Sequence, residues 1–163
     1  MQTLRFEIRP IGTIKTPFES SESIPIQSSK SVVMGEVELE ESYSVALDSL
    51  DSFSHVILLY WFHRTTAPRL RVKPYLGRKE RGLFSTRVPS RPNPIGISIV
   101  ELVEVGEKRI VFRGADMLND TPLIDIKPFV PEFDNRPGAS SGWLADFMSD
   151  AAQSFHADRR FEE

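Results

Sequence analysis

Cysteine is absent from the 163 residues, which excludes disulfides, a thiolate nucleophile and any sulfur-based metal site, and fits an intracellular chain without redox chemistry. Histidine is scarce: His55, His63 and His156 share no metal-ligand spacing. No apolar run approaches the roughly 20 residues that a membrane helix needs. The opening Met1-Gln2-Thr3-Leu4-Arg5 lacks the apolar core of a signal peptide, so a soluble, cytoplasmic protein with no membrane contact is expected. Neither a Gly-x-Gly-x-x-Gly fingerprint nor a Gly-Lys-Ser phosphate loop occurs, which removes the usual nucleotide-binding routes. Without a Gly-x-Ser-x-Gly elbow, a Ser-His-Asp assignment would be arbitrary.

What the chain does have is charge concentrated in one place. The net charge is −3, but from Arg64 to Arg91 nine basic residues (Arg64, Arg69, Arg71, Lys73, Arg78, Lys79, Arg81, Arg87 and Arg91) face one acid, Glu80, a local net of +8. The remainder holds 11 Lys/Arg against 22 Asp/Glu, or −11. A cationic island in an acidic body implies a localised contact with an anion or phosphate and repulsion elsewhere. A solvated loop face balanced by nearby acids has the same charge pattern.

Proline clusters inside this island. Pro89, Pro92 and Pro94 lack a backbone donor and fix φ, so Val88 to Pro94 is a stiff loop rather than a helix or central strand. A rigid backbone lowers the entropy cost of holding Arg87 and Arg91 ready for an anion. The loop feeds Ile95-Gly96-Ile97-Ser98-Ile99-Val100-Glu101-Leu102, which reads as a buried strand.

Elsewhere, short strands dominate. Phe6-Glu7-Ile8 and Ile11-Gly12-Thr13-Ile14 read as one strand interrupted at Pro10, followed by a long Ser-rich loop, 19–31. Val33, Gly35, Val37 and Leu39 alternate with Glu36, Glu38 and Glu40 as a half-buried strand. Ser42 caps a short helix carrying Tyr43, Ala46, Leu47 and Leu50. Residues 54–63 are the most apolar run, a central strand buried on both faces with His63 at its end. Leu70 to Pro74 is a peripheral strand, and Arg109 to Gly114 returns as a hairpin partner across Gly106-Glu107-Lys108. Leu123 to Lys127 places Ile124 and Ile126 on one face and Asp125 and Lys127 on the other; an inward Asp125 pairs with Lys127 or an arginine, or serves a site. After a Pro/Gly/Ser breaker, 135–142, the residues Trp143, Leu144, Phe147, Met148, Ala151 and Phe155 keep helical spacing, and one face of that helix must be covered by its own barrel or a second copy. The last eight residues are mostly charged and expected to fray.

With 40% hydrophobic residues and this order of elements, one mostly β domain is expected: a single antiparallel β-barrel-like fold with short peripheral helices and a C-terminal helix. The barrel domain spans 1–135, with a helical extension over 136–163. The polar groups on its loops, His63-Arg64, Arg87, Arg91, Asn93, Asp116, Asn119-Asp120 and Asp125-Lys127, form a set that can bind a charged ligand without naming it.

Three stretches go further. Arg81-Gly-Leu-Phe-Ser-Thr-Arg87, Arg91-Pro-Asn-Pro-Ile-Gly96 and Asp120-Thr-Pro-Leu-Ile-Asp-Ile-Lys-Pro128 resemble the signature of the TsaA/TrmO (YaeB-like) family. Ile11-Gly12, Thr16-Pro17-Phe18, Phe53-Ser54-His55 and Val130-Pro131-Glu132-Phe133-Asp134 agree in order, so the resemblance covers roughly Ile11 to Asp134. It implies an S-adenosylmethionine-dependent methyltransferase on a β-barrel, a homodimer with its cofactor near the subunit interface, methylating N6 of threonylcarbamoyl-adenosine beside the tRNA anticodon. Carried over by position, the cofactor would contact Pro25, Ile26, Gln27, His63, Arg64, Arg87, Ile97, Met117, Leu118, Asn119 and Asp120. Arg87 could clamp the methionine carboxylate, and Ile97 and Leu118 could contact adenine or the thioether chain.

The carbamoylated nitrogen is a poor nucleophile, so proton removal by Asp125, Asp116 or His63 is expected. Arg71, Lys73, Arg78, Lys79 and Arg91 would meet the anticodon arm. The extra C-terminal domain of longer bacterial relatives is not expected here, so RNA docking would fall to this segment and the partner subunit. Ile26 stands where relatives usually have arginine, and Asn119-Asp120 where Asp-Gly is usual. A methyltransferase with another substrate, or a noncatalytic RNA- or anion-binding barrel, are the alternative readings.

Overall fold

Among the described residues, alternation of apolar and polar side chains builds eight strands, and six of them close on one another. In the computed structural model, which describes residues 4–22, 24–148 and 156–158, these are β1 (Gly12–Lys15), β2 (Met34–Leu39), β3 (His55–Trp61), β6 (Ile95–Val105), β7 (Arg109–Arg113) and β8 (Thr121–Pro128). They form a closed barrel in the order β1-β2-β7-β6-β3-β8, with every pairing antiparallel. Closure removes the exposed strand edge that a six-stranded sheet would otherwise present. The remaining two, β4 (Arg71–Val72) and β5 (Arg81–Gly82), pair with each other as a separate small lobe.

One barrel core holds the fold together. Ile14, Val37, Val56, Leu58, Ile110, Phe112 and Leu123 are completely buried in it, each such side chain contributing roughly 1.5–3 kcal/mol. Phe112 fits only because Gly35 lies opposite, where a Cβ would overlap its ring. Val72, Leu83 and Val88 form a second, smaller core under the cationic lobe, with Tyr75 packed against it.

Several expectations change. Residues 4–10 form no strand: Phe6 is 84% exposed, and the ladder begins only at Gly12. The capped helix is a 3-10 helix, Glu41–Leu47, entered from Glu40 without a side-chain cap. β3 is buried on one face only, alternating Val56, Leu58 and Tyr60 inward with Ile57, Leu59 and Trp61 outward. The same holds for β6, whose Gly96, Ser98 and Val100 face inward while Ile95, Ile97 and Ile99 are exposed.

In β8 the register shifts opposite Leu59 and Tyr60, pairing Leu59 with Asp125 and Tyr60 with Leu123. This bulge sends Leu123 and Ile126 to the core in place of the expected Ile124 and Ile126. It also turns Asp125 outward rather than inward, against Lys127 at 2.7 Å.

At the C-terminal end, a 3-10 turn (Gly142–Leu144) runs into a short helix, Ala145–Met148. Ala151 and Phe155, predicted to continue that helical face, lie outside the described residues, as do 159–163. His156 is not frayed: it bridges to Pro25, and Ala157 N donates to Ile24 O at 2.7 Å.

Candidate active site

Strands β3 and β7 finish at one end of the barrel, and β6 and β8 start there. That end is a cleft of about 840 Å³. Its floor comes from Tyr60, Gly96, Met117 and Thr121, and its walls from the Ser-rich loop, the proline loop and the C-terminal segment. The C-terminal wall is fixed by Trp143, whose Nε1 donates to Ser85 O at 2.8 Å while the Arg81 guanidinium sits 4.2 Å from the ring centroid.

The proline loop is tied down by more than proline. Ser90 is fully buried and its hydroxyl bonds Thr66 at 2.9 Å, while Phe62 N donates to Pro94 O at 2.8 Å. Arg87 leaves this loop towards the cleft and donates from Nη1 to Gln27 Oε1 at 2.9 Å. That bond orients one edge of the guanidinium, which carries further donors. Arg91 also reaches the cleft, but its Nη1 donates to Thr86 O at 3.0 Å and Val88 O at 3.4 Å, so it braces the loop. Arg64 lines the cleft and donates to Glu19 O at 2.8 Å.

Two titratable groups face the same space. His63 bonds to the Trp61 backbone, and burial followed by the Arg64 charge lowers its pKa. The ring is therefore neutral at neutral pH, and its buried Nε2 has no partner among the described residues. Asp116 begins the turn after β7, and its Oδ1 accepts the Ser98 hydroxyl at 2.6 Å. Burial pushes its carboxyl up to about 7, against the opposing pull of Ser98, backbone donors and the Arg87 charge. Because Ser98 donates to Asp116, the Tyr60 hydroxyl donates to Ser98 Oγ at 3.0 Å. Tyr60 is buried, and burial keeps its phenol protonated. The result is a one-directional chain, Tyr60 to Ser98 to Asp116, ending at the cleft.

Of the predicted site residues, Pro25, Ile26, Gln27, His63, Arg64, Arg87, Ile97, Asp116, Met117 and Leu118 come together around the cleft. Asn119 and Asp120 do not line it. Asn119 instead accepts from Thr16 N and donates to Glu19, and Asp120, at φ 59°, pairs with Lys15 at 2.6 Å. Their work is to tie β1 to the turn before β8.

Asp125 stays on the outer wall with Lys127 and is likewise not a lining residue. Arg71, Lys73, Arg78 and Lys79 belong to the lobe beside the cleft, where Arg71 pairs with Glu80 at 3.0 Å. Sequence reasoning missed Tyr60, Ser98, Phe84 and Trp143. The one signal for Tyr60 was Gly96 in the facing strand, where a Cβ would overlap the Tyr60 ring.

Comparison with known proteins adds a family. Residues 13–135 match the tRNA-methyltransferase O N-terminal domain. A probable S-adenosyl-L-methionine-binding protein of Pyrococcus abyssi is 47% identical over 137 residues, covering 83% of this chain and 74% of the relative. The tRNA (adenine(37)-N6)-methyltransferase of Escherichia coli is 35% identical over 166 residues, covering 94% and 70%. Among solved structures, TrmO from Pseudomonas aeruginosa superposes with a TM-score of 0.75 at 35% identity, over 88% of this chain and 63% of that one. The chain thus spans about three fifths of that solved chain.

Proposed function

The chain belongs to the tRNA-methyltransferase O N-terminal domain family, and from that premise and the geometry of the cleft we propose that it is an S-adenosylmethionine-dependent methyltransferase acting on an adenine N6 nitrogen in tRNA. The finer target is N6 of threonylcarbamoyl-adenosine beside the anticodon. The reading is supported by names of relatives that state S-adenosylmethionine binding and tRNA adenine-N6 methylation. The observation that carries it is the convergence of Arg87, His63 and the Asp116 carboxyl on one cleft with apolar Ile97, Met117 and Leu118 walls.

These residues fit the cofactor chemically. Arg87, held by Gln27, binds the carboxylate with charge-assisted hydrogen bonds. His63, a neutral ring lining the cleft, meets the nucleoside end. Ile97 and Leu118 cover apolar atoms. When bound, S-adenosylmethionine supplies an electrophilic methyl group on a sulfonium centre.

Asp116 then removes the proton that the attacking nitrogen must lose. Its pKa of about 7 suits a base at neutral pH, and Ser98, held by Tyr60, fixes the carboxyl orientation. Rigid alignment of the reacting atoms supplies the rest of the acceleration.

The exposed ladder Ile95, Ile97 and Ile99, with Ile97 also at the cleft, supports a homodimer with its cofactor near the subunit contact. The cationic lobe beside the cleft favours the anticodon arm as partner. Among the described residues no helix is long and apolar enough to cross a membrane.

Calorimetry with S-adenosylmethionine tests the cofactor half of this reading. Binding that weakens in Arg87→Ala is expected. Absence of binding, or binding indifferent to that change, would favour the noncatalytic RNA- or anion-binding barrel.

A further inference from the structure

Phe84 is 78% exposed, yet it lines the cleft. Single exposed aromatics are ordinary on protein surfaces; this one is set in a rigid mount. Leu83, immediately before it, is buried in the small core with Val88. The turn Leu83–Ser85 is closed by Ser85 Oγ donating to Gly82 O at 2.8 Å and Thr86 Oγ1 donating to Leu83 O at 2.7 Å. The Arg91 guanidinium, itself fixed by Thr86 O and Val88 O, lies 5.7 Å from the Phe84 ring centroid. An exposed ring on such a backbone has already lost much of the freedom that stacking would otherwise have to remove.

We propose that Phe84 is a stacking platform for an unpaired base of an RNA substrate, with Arg91 backing the ring. The inference rests on the tRNA reading above. Three observations select the occupant. The ring sits within the net +8 segment, which attracts a phosphate backbone. Its Arg87 and Arg91 neighbours lie at the same cleft. And the ring stands 78% exposed at the cleft, where a single-stranded loop approaching from solvent would cover it.

Stacking on an aromatic ring changes affinity by roughly 5- to 150-fold per base. The test compares wild type, Phe84→Leu and Phe84→Trp in binding a fluorescently labelled anticodon stem-loop RNA at fixed salt. S-adenosylmethionine affinity is measured by calorimetry, and oligomeric state by sedimentation, on the same samples. Phe84→Leu is expected to weaken RNA binding at least about ten-fold, and Phe84→Trp to restore it, with cofactor affinity and sedimentation unchanged. Unaltered RNA affinity in Phe84→Leu overturns the proposal. A fall in cofactor affinity would assign the ring to the methyl donor, and a change in sedimentation would assign it to a second copy of the chain; either overturns it too. If wild type binds no RNA while binding the cofactor, the tRNA reading itself fails, and the stacking role with it.

Discussion

Ser98 donates its hydroxyl proton to Asp116 Oδ1 across 2.6 Å, and the buried Tyr60 hydroxyl stands behind it at 3.0 Å. A carboxyl held this way cannot turn from the cleft without leaving a buried hydroxyl unsatisfied. Its protonation therefore links activity and stability.

Asp116→Asn separates the two. The unfolded chain holds Asp116 near its ordinary 3.8, and folding raises it to about 7, so the folded state binds the extra proton between those values. The group's contribution is thus most favourable to folding below the ordinary value and is lost as pH rises through about 7, where the charged form costs on the order of 2–4 kcal/mol. Asparagine keeps an oxygen for Ser98 but never ionises. Thermal melts should show Asp116→Asn more stable than wild type at about pH 8, the gap closing at about pH 3. Methyl transfer should fall by roughly 10²- to 10⁴-fold with cofactor affinity retained, and the wild-type rate should climb through about pH 7.

Arg87→Ala removes the guanidinium aimed by Gln27. Loss of a charge-assisted pair of about 1.5–3 kcal/mol should weaken S-adenosylmethionine binding roughly 10- to 150-fold by calorimetry. Arg87→Lys should recover only part, since a point charge does not reproduce a planar fork. Arg87 also helps keep Asp116 ionised, so the pH-rate midpoint should move upward in the alanine variant.

Gly96→Ala tests the packing beneath the relay. A Cβ there overlaps the Tyr60 ring, and Tyr60 is buried and held by its bond to Ser98. Destabilisation of about 1–3 kcal/mol is expected in urea unfolding, together with lower activity as the Tyr60–Ser98 bond is displaced. Unchanged stability would mean that the barrel interior yields more readily than its packing indicates.

Asp120→Gly should go the other way. Asp120 holds a left-handed φ of 59°, a conformation glycine adopts without penalty. The lost ion pair to Lys15 is exposed and contributes little. A net gain of up to about 1 kcal/mol in melting experiments is expected, with cofactor binding unaffected because the residue does not line the cleft.

Much of the barrel was legible because β2 alternates cleanly and Gly106-Glu107-Lys108 marks the turn of the β6–β7 hairpin. The one-sided burial of β3 and β6 was not: Ile57, Leu59, Ile95, Ile97 and Ile99 are apolar on the outer wall as well, so the pattern reads as a strand covered twice. The bulge in β8 was hidden too, since a bulge is defined by the partner's register; with it went the facing of Asp125. For the site, the family resemblance grouped Gln27, His63 and Arg87, and the chemistry of the attacking nitrogen added Asp116 as one of three candidate bases; these residues lie far apart in the chain and their spacing alone carries no chemistry. Tyr60 and Ser98 sit inside apolar runs and read there as packing. Their hydrogen-bonding role emerges only when β3, β6 and the turn after β7 meet.

The central claim is methyl transfer to a tRNA adenine by this cleft, and nucleoside mass spectrometry tests it most directly. Purified protein is incubated with methyl-labelled S-adenosylmethionine and tRNA carrying threonylcarbamoyl-adenosine, and the tRNA is digested to nucleosides. The account predicts that this nucleoside gains one labelled methyl group with wild type and not with Asp116→Asn. Unmodified threonylcarbamoyl-adenosine after incubation with a wild-type protein shown to bind the cofactor would contradict it.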